Sequence, residues 1–168
     1  MSAEVRAVAE LRRQGRTLEG YAATFGTETR IANFTEVIRA GAFASSLSTR
    51  SDILAMVDHD RTRVLGRTRT GTLELREDDK GLAFRLDVPD TQAGNDVLAL
   101  AERGDLGGMS FGFNPVDERW DGRKRELRTV DLREISVVSA WPAYEGTSVM
   151  ARFMMPRAAL AKRYLETL

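Results

Sequence analysis

A single histidine, His59, sits in the run Val57-Asp58-His59-Asp60, and cysteine is absent from all 168 residues. Imidazole is the side chain that changes charge between about pH 5 and 8, so imidazole proton transfer has one address in this chain. The absence of cysteine excludes thiol nucleophiles, disulfides and Cys-ligated zinc. A covalent catalyst would have to use a hydroxyl, a carboxylate or a lysine amine. Ser110 is the hydroxyl that stands out, because Gly108-Met109-Ser110-Phe111-Gly112 has the G-x-S-x-G spacing of a nucleophile elbow. Glu134 is the acid that stands out. Strand alternation would put it on one face with Leu132, Ser136, Val138 and Ala140, where an unpaired carboxylate is costly.

Each of the three also has a plain structural reading. Ser110 can be a small residue at the start of a glycine-rich strand. His59 can be a solvated loop imidazole between two aspartates. Glu134 can pair with one of the many arginines. The elbow reading itself fails, because an elbow needs a strand before the serine and a helix after it. Here the best helix lies before and a strand pattern follows, and the histidine precedes the serine in the chain. In the functional reading, Glu134 accepts the histidine ring N–H and fixes the tautomer whose other nitrogen takes a serine proton. Asp58 and Asp60 are not obvious orienting partners, since neighbours in an extended segment point to opposite faces.

The elements that would position these residues follow from periodicity. Residues 1–16 are polar and read as a loosely ordered lead-in. Alternation over 17–25 suits a strand. A short strand after Asn33 leads into one or two helical turns from about Ala42. Residues 53–57 are apolar and short enough for a buried strand ending just before His59. Residues 64–66, 71–76 and 81–88 read as further strands, the last two separated by turn-forming residues 77–81. Thr91 precedes the strongest helix of the chain, with Val97, Leu98, Leu100 and Ala101 on an apolar face and Gly104 as its stop. Strand patterns return at 109–113, 119–120 and 124–128, and a long one covers 130–140. Residues 149–168 read as a partly amphipathic helix interrupted at Pro156.

Short strands with one or two inserted helices imply a mainly β, α+β domain, built as a small β-barrel or as packed sheets. A chain of this length with 42% apolar residues can bury one ordinary core. Lys plus Arg and Asp plus Glu balance at 25 each, so no net field favours nucleic acid or an anionic membrane as partner. No apolar run reaches the roughly 18–20 residues of a spanning helix, and the first residues lack a signal-peptide pattern. A cytosolic protein is the expectation.

Taken in order, several segments resemble the prohead (capsid maturation) proteases of HK97-type tailed phages. They are VIRAGAFASSL at 37–47, VDHD at 57–60 with Leu65-Gly66, Gly81-Leu82, GMSFGF at 108–113 and REISVVSAWPAY at 133–144. The likeness covers roughly residues 17–152, and its specificity lies in joint order and spacing. That family is similar in fold and site layout to the herpesvirus assemblin proteases, which use a serine and two histidines; the phage type has an acid in place of the second histidine. The chain departs in small ways, with Asp58 where Asn often precedes the histidine and Phe111 where a smaller residue often follows the serine. Neither change removes a proposed catalytic atom.

The resemblance implies a small closed β-barrel of the assemblin type, with a lead-in over 1–16, a protease domain over 17–152 and a tail over 153–168. It implies Ser110 as nucleophile, His59 as general base and then acid, and Glu134 as orienting acid, with no cofactor and no metal. The oxyanion donors are left open between backbone amides near Ser110 and those of residues 140–146. The implied substrate is the scaffolding region of the major capsid protein, and the chain itself, inside the procapsid in the host bacterial cytoplasm. Self-association is a further expectation. The basic tail is either a self-cleaved docking segment or a terminal helix packed on the barrel. The rival function is a catalytically silent, protease-like module that binds or scaffolds capsid subunits.

Overall fold

The computed structural model describes residues 12–49 and 52–140, so the tail expected over 153–168 lies outside the described residues. Strands are numbered in chain order. One sheet is antiparallel throughout, with β1 (Arg12–Gln14), β2 (Thr17–Thr24), β8 (Gly81–Asp87) and β7 (Leu73–Glu77) side by side in that order. The second runs β3 (Thr29–Ile31), β4 (Phe34–Ile38), β10 (Lys124–Val138), β5 (Leu54–Val57), β6 (Asp60–Arg67). In it β9 (Gly108–Asp121) lies antiparallel along the other edge of β10. Two helices are inserted, α1 (Ala44–Ser48) and α2 (Gln92–Arg103). None of the described helices is long and apolar enough to cross a membrane.

The mainly β character with few helices holds, but the closed barrel does not. Among the described residues the strands divide between two sheets, and no ladder joins one sheet to the other. Short alternating strands suit packed sheets as well as a barrel, and the sheets meet through one apolar cluster. Leu18, Ala22, Leu82, Phe84 and Leu86 of the first sheet pack in it with Ile38, Ala55, Val57, Phe111, Phe113, Leu127 and Ile135 of the second.

β10 is the spine of the larger sheet. Residues Lys124 to Leu127 pair in parallel with β4, and Glu134 to Val137 pair in parallel with β5, so both short strands share one edge of it. Between them the edge would be left without ladder partners. The turn before α1 and the helix itself fill that gap: Val130 N–H donates to the Ala42 carbonyl at 2.9 Å. The buried Ser46 hydroxyl donates to the Val130 carbonyl at 2.8 Å and accepts the Leu132 N–H at 2.8 Å. One hydroxyl thus does the work of a missing strand residue, as buried backbone groups require.

β9 and β10 are each longer and less interrupted than their sequence suggests. Pro115 lies inside β9, where the expectation had two separate strand patterns. It is tolerated because β9 pairs only with β10, so its N–H-less edge faces no ladder among the described residues. The ladder between them shifts register near Leu127, Thr129 and Leu132. These irregularities break the alternation. Across the last one, Leu132 falls on the core side with Ile135 and Val137 and does not share a face with Glu134.

The strongest helix expectation matches α2 closely. The Thr91 hydroxyl caps it by accepting the Gly94 N–H at 3.2 Å, and Gly104 ends it in the left-handed conformation at φ 76°. Val97 and Leu98 are its buried face.

Candidate active site

The β9–β10 ladder sets two cross-strand pairs next to each other: Ser110 opposite Ser136, and Gly112 opposite Glu134. Period-two alternation sends Met109, Phe111 and Phe113 into the core, with Ile135 and Val137 beside them. Ser110, Gly112, Glu134 and Ser136 therefore share the opposite face. Phe111 is fixed by stacking on Phe113 with ring centres 5.0 Å apart and edge-on against Phe43 at 5.5 Å. The serine is held by a rigid strand flanked by packed rings, not by a loop.

Gly112 has a specific steric reason. A Cβ built there would stand 2.4 Å from Glu134 Oε1 and 3.1 Å from both Cδ and Cγ of the same side chain. The Glu134 carboxylate lies across its neighbouring strand in the space that a side chain would fill. The glycine two residues after the serine is thus the floor under the acid.

His59 reaches this face from the next hairpin. β5 and β6 are joined by a two-residue loop, with Val57 paired to Asp60 and Asp58 and His59 between them. Both loop residues have positive φ, 50° and 58°. That is the backbone twist a two-residue type I′ hairpin needs, and Asp and His are among the residues that tolerate it best without being glycine. The expectation of an extended segment is corrected here, and Asp58, which does not orient the ring, has a different role. Its N–H donates to the Val137 carbonyl at 2.9 Å. Its carboxylate accepts the Ser139 N–H at 2.8 Å and the Ser139 hydroxyl at 2.7 Å. The hairpin tip is pinned to the end of β10.

Ser110, His59 and Glu134 come together at this point. His59 Nε2 is 3.1 Å from Ser110 Oγ, and His59 Nδ1 is 2.5 Å from Glu134 Oε1. The second carboxylate oxygen, Oε2, accepts the Ser136 hydroxyl at 2.7 Å. Glu134 and Ser110 are each only 1% exposed, whereas the His59 side chain is 18% exposed. A carboxylate only accepts, so the proton in its contact with the ring sits on Nδ1. In a neutral ring Nε2 then presents its lone pair to the serine. A hydroxyl, an imidazole and a buried carboxylate linked in this order can move a proton off the hydroxyl and hold the resulting imidazolium.

Two surface clefts lie elsewhere, one across the outer face of β2, β8 and β7 and one beside α1; none of the three residues lines either. Of the proposed oxyanion donors, residues 141–146 lie outside the described residues. Gly112 and Ser136 are site residues that sequence reasoning did not assign. Alternation had put Ser136 on the face of Glu134, which was the available signal.

No curated protein and no solved structure matches the chain. The family model described as caudovirus prohead serine protease matches residues 1–159. With nearly the whole chain matched, it belongs to that family, the serine proteases of phage capsid maturation.

Proposed function

We propose that the chain is a serine endopeptidase that cuts the scaffolding region of the major capsid protein, and its own chain, within the assembled procapsid, through Ser110, His59 and Glu134. The observation that carries the reading is the unbroken contact series from Ser110 Oγ through both ring nitrogens to a buried carboxylate, at 3.1 and 2.5 Å. Family membership supplies the setting of capsid proteins. An enzyme held inside a shell beside its substrate works at high effective concentration, so weak intrinsic affinity suffices.

In this reading His59 Nε2 takes the Ser110 proton as Oγ attacks the peptide carbonyl carbon. The tetrahedral intermediate collapses, the C–N bond breaks, and the imidazolium gives its proton to the leaving amine. Water then enters, loses a proton to His59 and cleaves the ester, which regenerates the serine. Glu134 keeps Nδ1 protonated throughout and stabilises the imidazolium as it forms.

The test is processing of capsid protein by the Ser110→Ala chain in assembling proheads. The expected outcome is folded protein and uncleaved capsid subunits, with a fluorophosphonate probe labelling the native chain and not the variant. Normal processing by Ser110→Ala would end the proposal. Normal assembly with no processing by either chain, and no labelling, would favour the silent binding module.

A further inference from the structure

We infer that Ser136 is a positioning residue of the same site, coupling the backbone of the His59 turn to the Glu134 carboxylate. The inference rests on the reading of His59 as the base. Ser136 is fully buried, at 0% exposure. Its hydroxyl makes two bonds of opposite sense: it accepts the His59 backbone N–H at 3.1 Å and donates to Glu134 Oε2 at 2.7 Å. The directions are forced. A backbone N–H has no lone pair, so the hydroxyl must accept there, and its one proton is left for the carboxylate.

The consequence is a closed ring of contacts. Ser136 joins the His59 main chain to one oxygen of Glu134, and the His59 ring joins the other oxygen at 2.5 Å. The carboxylate cannot rotate about its own axis without breaking one of the two bonds. His59 cannot leave its positive φ without losing the acceptor of its N–H. A non-glycine residue in that conformation persists only where its surroundings hold it there. Ser136 also stands directly opposite Ser110 in the ladder, so it is fixed by the same strand pair that fixes the nucleophile. Both hydrogen bonds of its hydroxyl go to His59 and Glu134, and neither goes to Ser110. It acts through His59 and Glu134.

The experiment uses the full chain and two readouts. The first is capsid protein cleavage, with kcat and KM measured separately for Ser136→Ala. Misplacing a base and its acid affects the chemical step more than substrate binding, so kcat falls by about 10- to 100-fold with KM little changed. The second is the proton resonance of His59 Nδ1–H, recorded in the Ser110→Ala background, where no turnover is needed. A short bond to a fixed carboxylate gives a far-downfield signal, which shifts upfield or broadens away when Ser136→Ala is added. Should Ser136→Ala not fold, Ser136→Cys, of similar volume and with a much weaker donor, takes its place with the same signs expected. Native kcat together with an unmoved Nδ1–H resonance in a folded Ser136 variant overturns the inference. Cleavage that survives Ser110→Ala would instead remove the base reading, and it is seen in a different arm.

Discussion

Among single residues, Gly112 makes the sharpest demand on the site. The Glu134 side chain occupies the volume next to its Cα, and Glu134 cannot give way cheaply because both oxygens are held, one by His59 and one by Ser136. Gly112→Ala should therefore displace the carboxylate, break its contact with the ring and leave a buried acid poorly paired, at about 1–3 kcal/mol in stability. The larger effect is on rate, since misplacement by about 1 Å can cost roughly 100-fold. Steady-state cleavage and thermal melting of the same variant separate the two, and native kcat with Gly112→Ala would show that the acid's position does not matter. The three residues proposed to carry the chemistry stood out in the sequence because His59 is the lone histidine and because type and order resembled a known pattern. Gly112 looked like half of a G-x-S-x-G elbow. Its true reason, the room it leaves for a side chain on the next strand, depends on register, and register is a long-range property.

Among the elements, the strand pair β9–β10 and the hairpin β5–β6 build the site, and α1 makes the sheet continuous. Most strands and α2 could be read from alternation and caps, as in residues 17–25 and at Thr91 and Gly104. What could not be read has physical causes. β3 has only three residues, too few for any period. The shifts in register along β10 moved Leu132 to the core side, so strict alternation wrongly made it a neighbour of Glu134 while placing Ser136 correctly. The two-residue turn at Asp58 and His59 carries no glycine to announce it. Ser46 was equally silent, although its hydroxyl closes the gap between β4 and β5. Ser46→Ala would leave the Val130 carbonyl and the Leu132 N–H without that partner in a buried place. A cost of about 1–3 kcal/mol for each group is expected, with roughly 2–4 °C of melting temperature per kcal/mol for a chain of this size. The reading is tested by calorimetry alongside cleavage rate: a melting temperature equal to that of the native chain would show that water or another group satisfies the edge.

At the scale of the whole molecule, the candidate site and a second buried polar cluster sit at opposite ends of one hairpin. Near its tip Arg125 of β10 is buried between Glu36 of β4, with Nη1 to Oε2 at 3.2 Å, and Glu118 of β9, with Nε to Oε2 at 2.6 Å. The Trp120 ring lies over the guanidinium at 5.6 Å and meets Phe34 edge-on at 5.1 Å. This cluster ties three strands together, and it does so about nine residues along β10 from Glu134, or roughly 30 Å at strand rise. Sites so far apart with no shared partners contribute independently. A buried ion pair adds little net stability over apolar packing, but removing one partner strands the other, at about 3–5 kcal/mol. Arg125→Met therefore takes a large part of the 5–15 kcal/mol typical of a domain. Because one apolar cluster spans both sheets, the loss is felt by the whole chain. In urea the midpoint should fall with an unchanged slope, while kcat per folded molecule stays native. A native midpoint would contradict the role of the cluster, and a reduced kcat under fully folded conditions would mean that the two ends of the hairpin are coupled.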